Sequence, residues 1–466
     1  MAVADPARPG TDRPHDIIIV GGGIAGLAAA YELHQRGIVA PVLEASSRAG
    51  GVILTERPDG WVIDAGPDAM LVQKPAAVAL CRELGLTARL QQTLPPRTAY
   101  VLRDGRLHAL VEGSFMGFPL SARSLAASSL FSAAGKLRMA AEVLLPRGEA
   151  VEDESIASFV RRRFGREAVD YIAEPLLAGI HAGDVDRLSV RALFPRLCDA
   201  ERTAGSVLRA MRRLRPTPAP QGAFVSLMGG IGELVEALTL ALPPHTVCVS
   251  TPVTQVSYDG SYLIRTPSAS WRARSVVLAV PAYVTAALIT SLDSTLSTAC
   301  GSLPYASTAT AVFGYARAQV AHPMRGSGFV VPRVEGRALL AGTWITSKWA
   351  GRAPDGHVLL RGFLGGGRDP RRLDRGDDDL LRDARSELEA LLGITGAPVL
   401  SRLFRWHQQS PQYEVGHLDR VATIERTLTR HRGLFLAGSG FRAIGIPDNI
   451  ADARATAARA ADIVRS

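Results

Sequence analysis

The chain has 466 residues, with 53 Lys+Arg against 44 Asp+Glu, a formal net charge of +9 in which all but three of the basic residues are arginine. A hydrophobic fraction of 47% and a charged fraction of 21% exclude a disordered or collagen-like chain, and the length suits roughly two or three domains. The positive excess is compatible with nucleic acid, anionic lipid or an acidic ligand, but the arginines run from Arg8 to Arg465 rather than massing in one tail.

Residues 1–14 carry charges and prolines but no apolar stretch, so they read as a loose tail and not as a secretory signal. Residues 16–20, Asp-Ile-Ile-Ile-Val, form an apolar β-branched run suited to a buried parallel strand. Gly21-Gly22-Gly23-Ile24-Ala25-Gly26 follows, then a helix-forming stretch at 27–33, a stop at Gly37 and a second strand at 41–44 ending in Glu44. Each part has a physical use in binding a dinucleotide. Gly21 permits the tight turn, Gly23 lets the backbone approach a diphosphate, and Gly26 lets helix and strand pack closely. The helix N-terminus offers unpaired N–H groups to the phosphates, and Glu44 accepts hydrogen bonds from ribose hydroxyls. The alternative is a glycine-rich turn without a ligand.

Downstream, 124–145 and 154–171 are rich in helix formers. The stretch 118–147 mixes Leu, Phe and Met with Arg123, Lys136, Arg138 and Arg147, which fits an interfacial amphipathic helix or a packed domain helix. Residues 215–221 form a proline-rich linker or exposed loop. Gly229-Gly230-Ile231-Gly232 opens a helix, and 251–256 reads as a strand whose backbone, at Val253, meets adenine; Asp259-Gly260 then turns a hairpin. The uncharged run 275–292 reaches the lower edge of a membrane-spanning length, but Pro281 breaks it, so a buried strand at 276–280 and a helix starting near Pro281 are expected instead. Strand-like runs at 308–315, 329–331 and 358–363 precede a charged helix at 377–392. Near the C-terminus a buried strand ends at Gly438, and a loop leads through Pro447-Asp448-Asn449-Ile450 into a helix, a second helix N-terminus aimed at the dinucleotide. Cys81, Cys198, Cys248 and Cys300 lie far apart without a CxxC pair, which implies reduced thiols and no metal site.

The fold class expected is α/β. Segments 14–94, 216–285 and 425–466 build one Rossmann-like nucleotide domain, with a helical insertion at 95–215 and an α+β substrate domain at 286–424.

The continuation Glu44-Ala45-Ser46-Ser47-Arg48-Ala49-Gly50-Gly51 resembles the E-x-x-x-R-x-G-G of FAD-binding flavoproteins of the amine oxidase, carotene desaturase and porphyrinogen oxidase superfamily. The resemblance implies a glutathione-reductase-like FAD domain with Arg48 and Gly51 along the cofactor. It places Ala45, Gly66, Val253, Gly438 and Ile450 among the cofactor contacts, and the segment after Gly438 over the isoalloxazine ring.

Further segments narrow the choice. Residues 174–184 (Glu-Pro-Leu-Leu-Ala-Gly-Ile-His-Ala-Gly-Asp), 111–119, 224–232 and 411–417 resemble the porphyrinogen oxidases of haem biosynthesis, and 343–349 with 359–363 resemble their bacterial branch. That likeness implies oxidation of a porphyrinogen, a CH–CH donor, to the porphyrin: six electrons leave in three hydride transfers to flavin N5, and oxygen is reduced to hydrogen peroxide. The substrate is protoporphyrinogen IX or coproporphyrinogen III, with Lys74 and the bacterial motifs leaning toward the latter. The same likeness assigns Arg97 and Lys74 to propionates, Ala178 and Gly179 to the substrate lining, and Asp68 to a place beside flavin and substrate. There Asp68 assists deprotonation of a pyrrole N–H or merely caps a turn at Met70, while Arg97 as a solvated surface arginine stays open. His181 departs from the usual aromatic and reads as a structural histidine more readily than a proton shuttle. Two other readings compete: a flavin amine oxidase, lacking any cysteine after Cys300 for covalent attachment, and a non-catalytic nucleotide-binding escort protein. No nucleic-acid module is present. A cytoplasmic protein is expected, with peripheral contact to the membrane and a homodimer as open partner expectations.

Overall fold

The structure is a computed structural model and describes residues 14–111, 114–148, 152–214 and 222–465. The expected proline-rich linker at 215–221 and the tail before residue 14 lie outside the described residues.

A seven-stranded sheet carries the nucleotide domain. Its centre is the strand His15–Val20, paired in parallel with Val42–Leu43 on one side and with the second half of Ser270–Leu278 on the other. Ile17, Ile18 and Ile19 are fully buried because both faces are covered, one by helices and the other by the hairpin at 255–265 with the helices Ala282–Ile289 and Ser294–Gly301, which is why the run is uniformly apolar. Along Ser270–Leu278 exposure alternates at first and then ceases, marking where the strand leaves an antiparallel meander and enters the parallel core. That meander is completed by Gln255–Tyr258 and Tyr262–Arg265, with Gly260 at φ +101° in the turn. Leu434–Leu436 pairs in parallel with the same long strand. The helices Ile24–Gln35, Gly232–Ala241 and Ile446–Arg465 pack on this sheet, and Ala453, Ala457, Ala460 and Ala461 let the last of them approach closely.

A second seven-stranded sheet runs Leu400–Pro411, Tyr305–Ala316, His357–Gly365, Ala341–Trp344, Gly328–Val330, Ala99–Arg103 and Arg106–Ala109. The helix Asp377–Leu392 covers it with Leu380, Ala384, Leu388 and Leu392, the spacing of one helical face. Its last two strands come from the segment expected to open the helical insertion, so residues 99–109 belong to this sheet. Along Ala99–Arg103, Val101 and Leu102 face different cores, as in a strand buried on both sides, and its parallel partner Gly328–Val330 lies far downstream, which is why the sequence alone does not show the sheet it joins.

The helical part gathers around Phe118, Phe131, Phe159, Phe164 and Ile172. At its centre the Arg163 guanidinium pairs with the buried Glu142, which also accepts from the Ser206 hydroxyl and the Val207 N–H (2.9 Å). The stretch 118–147 is not one amphipathic helix. It folds as Ala122–Ala127 and Ala133–Ala140 with a 3-10 turn, and Arg138 bonds inward to the carbonyls of Arg162 and Arg163. Two further expectations shift. Val253 sits in the loop before Gln255–Tyr258 rather than inside a strand, and the strand before Pro281 begins at Ser270, with Pro281 capping Ala282–Ile289. Among the described residues no helix is long and apolar enough to cross a membrane, and no group of His, Cys, Asp or Glu is arranged to hold a metal.

Candidate active site

The turn after the first strand is shaped by what a side chain would strike. A Cβ on Gly26 would lie 1.8 Å from the Gly21 carbonyl oxygen, and Gly21, at φ +102°, would meet the Ala279 carbonyl at 2.6 Å. Gly23, the residue capping Ile24–Gln35, differs: a Cβ there meets nothing within 4 Å. Open space over a helix N-terminus whose first turn carries no acid is a cradle for a diphosphate, and the chain offers it without rearrangement. Glu44 is buried at the end of its strand, with Oε2 accepting from Gly22 N–H at 2.6 Å and Oε1 from Ser46 N–H at 2.8 Å. A carboxylate has about four acceptor positions, so it retains capacity for a ribose hydroxyl. Ala45 follows it at the surface.

Arg48 does not reach toward the diphosphate. Its guanidinium donates to the carbonyls of Ala49 (3.2 Å), Gly51 (2.6 Å) and Ile53 (3.1 Å), pinning a loop whose Gly51 packs on Gly23. That contact is organisational: it sets the loop against the cradle. Gly66 packs on the same loop, since its Cβ would lie 2.1 Å from the Val52 carbonyl oxygen. On the far side Gly438, at φ +111°, faces Ala25 and Asn449, and Ile450 is buried in the core with Ile24 and Ala25. The loop between Gly438 and Ile446 is fixed by Tyr413 Oη donating to the Ser439 carbonyl (2.8 Å), by His417 Nε2 against the Phe441 carbonyl (3.1 Å) and by Arg442 on Asp452 (2.9 Å). FAD therefore fits the residues present, with Gly23, Glu44 and the Gly438 loop around one opening. Val253 stays outside this inner group, in its loop at the adenine end.

The substrate candidates converge through a three-stranded sheet of Met70–Leu71, Phe224–Leu227 and Leu90–Gln92. Its pairing sends the loops carrying Lys74 and Arg97 out at the same end, beside the exposed Phe224 ring. Arg97, an exposed residue, donates from Nε to the Thr93 carbonyl and hydroxyl (3.1 and 3.0 Å). Lys74 reaches Asp448, in the first turn of the C-terminal helix, at 2.6 Å. His181 lies within electrostatic reach of Lys74; burial and that cation push it down to about 4, so it is neutral near pH 7. Gly179 and Ala178 stand just before it, where the π-helical Val169–Ala178 passes into a 3-10 turn that leaves Ile180 exposed.

Asp68 is held by cations rather than capping the Met70 turn. Its Oδ2 accepts from Lys348 Nζ (2.9 Å) and Trp349 Nε1 (3.0 Å), and its Oδ1 lies 3.1 Å from Arg361 Nη2. Burial alone would raise its pKa, but Lys348 and Arg361 hold it far below the usual carboxylate range. A carboxylate so held is a poor base, and it does not cap Met70. The partners Lys348, Trp349, Arg352 and Arg361, with Asp64 and Thr55, were invisible to motif reading because they lie in another part of the chain. The one available signal was the Lys348-Trp349 pair in a segment already marked by resemblance.

Residues 24–464 match the family described as flavin containing amine oxidoreductase. The chain is 33% identical to the coproporphyrinogen III oxidase of Bacillus subtilis (strain 168), over 96% of this chain and 97% of that one. It is 29% identical to protoporphyrinogen oxidase 1, chloroplastic, of Spinacia oleracea, over 96% of this chain and 84% of that one. A solved structure from Exiguobacterium sp. 255-15, assigned as a protoporphyrinogen oxidase, superposes with a TM-score of 0.87 at 31% identity, covering 97% of this chain and all of that chain.

Proposed function

The chain belongs to the flavin containing amine oxidoreductase family, and within that family we propose that it oxidises coproporphyrinogen III. It is an FAD-dependent porphyrinogen oxidase. The choice between porphyrinogens rests on the 33% identity to the B. subtilis protein over nearly the whole of both chains. A second support is the convergence of Arg97 and Lys74 at one end of the three-stranded sheet, since coproporphyrinogen brings four carboxylates where protoporphyrinogen brings two. A flavin amine oxidase activity has no comparable support.

When bound, FAD supplies the two-electron acceptor for hydride from carbon. The N–H groups opening Ile24–Gln35 hold the diphosphate, Glu44 a ribose, and the Gly438 loop faces the ring end. Arg97 and Lys74 orient propionates, Arg97 by an ion pair with two-pronged geometry, and Phe224 and Ile180 flank the apolar macrocycle. Asp68 and His181 both have depressed pKa values, which makes each a weak base for a pyrrole proton, so in this reading the chain works mainly by positioning the substrate. Oxygen is the final acceptor in this reading, with hydrogen peroxide released on each of three cycles.

The test is the rate of porphyrin formation from each porphyrinogen by flavin-loaded protein, corrected for spontaneous oxidation. Coproporphyrinogen III should be turned over faster; inactivity on both would end this reading. Arg97→Ala should raise KM for coproporphyrinogen III about 10–100-fold, the worth of a hydrogen-bonded charge, with a smaller effect on protoporphyrinogen IX.

The protein is cytoplasmic in this reading, and a peripheral lipid contact is retained in altered form. Leu137 and Leu144 stand 74% and 83% exposed on the helical part, beside Lys136 and Arg147. Co-sedimentation with anionic vesicles should be measurable and should fall at least about threefold in a Leu137→Ser, Leu144→Ser double variant, with enzyme activity in detergent unchanged. A homodimer, also proposed, is checked by sedimentation equilibrium.

A further inference from the structure

Five buried charged side chains meet where the nucleotide domain abuts the second sheet, and they do not cancel. Lys348, Arg352 and Arg361 supply three cations, while Asp64 and Asp68 supply two carboxylates. The side chains of Arg352 and Arg361 are 0% and 4% exposed and that of Lys348 is 14% exposed. Glu233, the next acid felt at Arg352, is engaged with Arg89. Arg352 pairs with Asp64 and Arg361 with Asp68, yet the Nε atoms of both arginines are buried without a hydrogen-bond partner, and the third cation, Lys348, shares Asp68 rather than having a carboxylate of its own. An uncompensated buried charge is costly and persists where something bound offsets it.

The location indicates what that is. Arg361 Nη1 donates to the carbonyls of Asp64 (2.8 Å) and Gly66 (2.9 Å). Gly66 packs on Val52, and the adjoining Gly51 packs on Gly23. The cation excess is thus tied to the cofactor cradle through the 51–66 loop. We propose that Lys348, through this three-to-two imbalance, provides a fixed positive potential that stabilises the flavin as it gains negative charge. The redox balance is simple: a hydride carries two electrons and one proton from the porphyrinogen carbon to the ring, leaving one added negative charge there. Lys348 acts as a positioning charge and not as a proton donor. This inference rests on the proposed FAD site and on the placing of Asp68, which Lys348 and Arg361 both engage, beside the flavin.

Lys348 is the informative position because its removal leaves two matched pairs, Arg352 with Asp64 and Arg361 with Asp68, so Lys348→Met should fold. The experiment measures the two-electron reduction potential of the bound flavin, and the dissociation constant for sulfite, which adds to the ring as an anion. Lys348→Met should shift the oxidised/reduced equilibrium about tenfold toward the oxidised form, about 30 mV for a two-electron couple, and weaken sulfite about tenfold or more. Lys348→Arg should restore both. Unchanged potential and sulfite affinity in Lys348→Met would overturn the proposal, as would weaker FAD retention alone, which would assign the charge to the diphosphate. Should Lys348→Met not fold, the wild-type holoprotein still decides: failure to bind sulfite refutes the positive potential, and submillimolar binding supports it. A wild-type protein purified without flavin would overturn the cofactor reading together with this one.

Discussion

Replacing Asp68 by alanine is expected to cost about 3–5 kcal/mol of stability, the range for removing one member of a buried ion cluster and leaving its partners unpaired. Lys348 and Arg361 would both lose the carboxylate they share, at 2.9 and 3.1 Å, and Trp349 Nε1 its acceptor. Asp68→Asn keeps the shape and should lose most of the same stability, because the charge is what the cations need. The acid side carries a second signature. Asp68 titrates lower folded than unfolded, so its contribution is complete above the ordinary carboxylate value, about 4, and is lost as pH falls below it toward the folded value. Urea unfolding of wild type between pH 6 and the acid limit should show this decline, and the Asn variant should show a flatter one. An Asp68→Asn protein as stable as wild type would mean the cluster holds nothing together.

The second large effect separates two glycines three residues apart. Gly26→Ala should abolish flavin binding and destabilise the fold severely, because its Cβ would sit 1.8 Å from the Gly21 carbonyl oxygen, with no flexible atom to yield. Gly23→Ala should leave the apoprotein within about 1 kcal/mol of wild type, since Gly23 has φ −69° and ψ 179°, open to any residue, and loses only a favourable cap. Yet its new methyl enters the space where the diphosphate must come close. FAD affinity should fall about a hundredfold, about 2.7 kcal/mol. Titration of apoprotein with FAD, read against thermal unfolding of the same apoprotein, checks both. Equal stability loss in the two variants would contradict the distinction.

These glycines show why part of the molecule was readable from its letters. Gly21, Gly26 and Glu44 sit within one strand–turn–helix–strand unit, where spacing alone dictates which residue meets which. The helix Asp377–Leu392 was readable for the same reason, its apolar positions repeating with the helical period. Asp68 was not. Its environment is made by Lys348, Trp349 and Arg361, nearly three hundred residues downstream, and no local pattern announces a tertiary ion cluster. The carbonyls that Arg48 holds were not legible either, because a motif tells where a guanidinium starts and not which carbonyls it caps. Val253 falls outside its expected strand because short β segments depend on distant partners for their existence, and the sheet that 99–109 joins was hidden because its partner Gly328–Val330 lies far downstream. The same holds for 118–147, whose outward residues reduce to Leu137 and Leu144 once Phe118, Leu125, Phe131 and Met139 turn into the core.

The pairing pattern also fixes a timetable. The ribosome releases about 5–20 residues each second, and Ala99–Arg103 waits for Gly328–Val330, its parallel neighbour, roughly ten seconds to most of a minute. His15–Val20 waits as long for Ser270–Leu278, and that strand in turn for Leu434–Leu436, farther along the chain. Two sheets thus stand with open edges while the chain is still emerging, and nascent polypeptide of this kind is chaperone clientele. The strand Leu434–Leu436, the Gly438 loop and the helix Ile446–Arg465 complete the nucleotide site, so that site cannot form until this segment has been made.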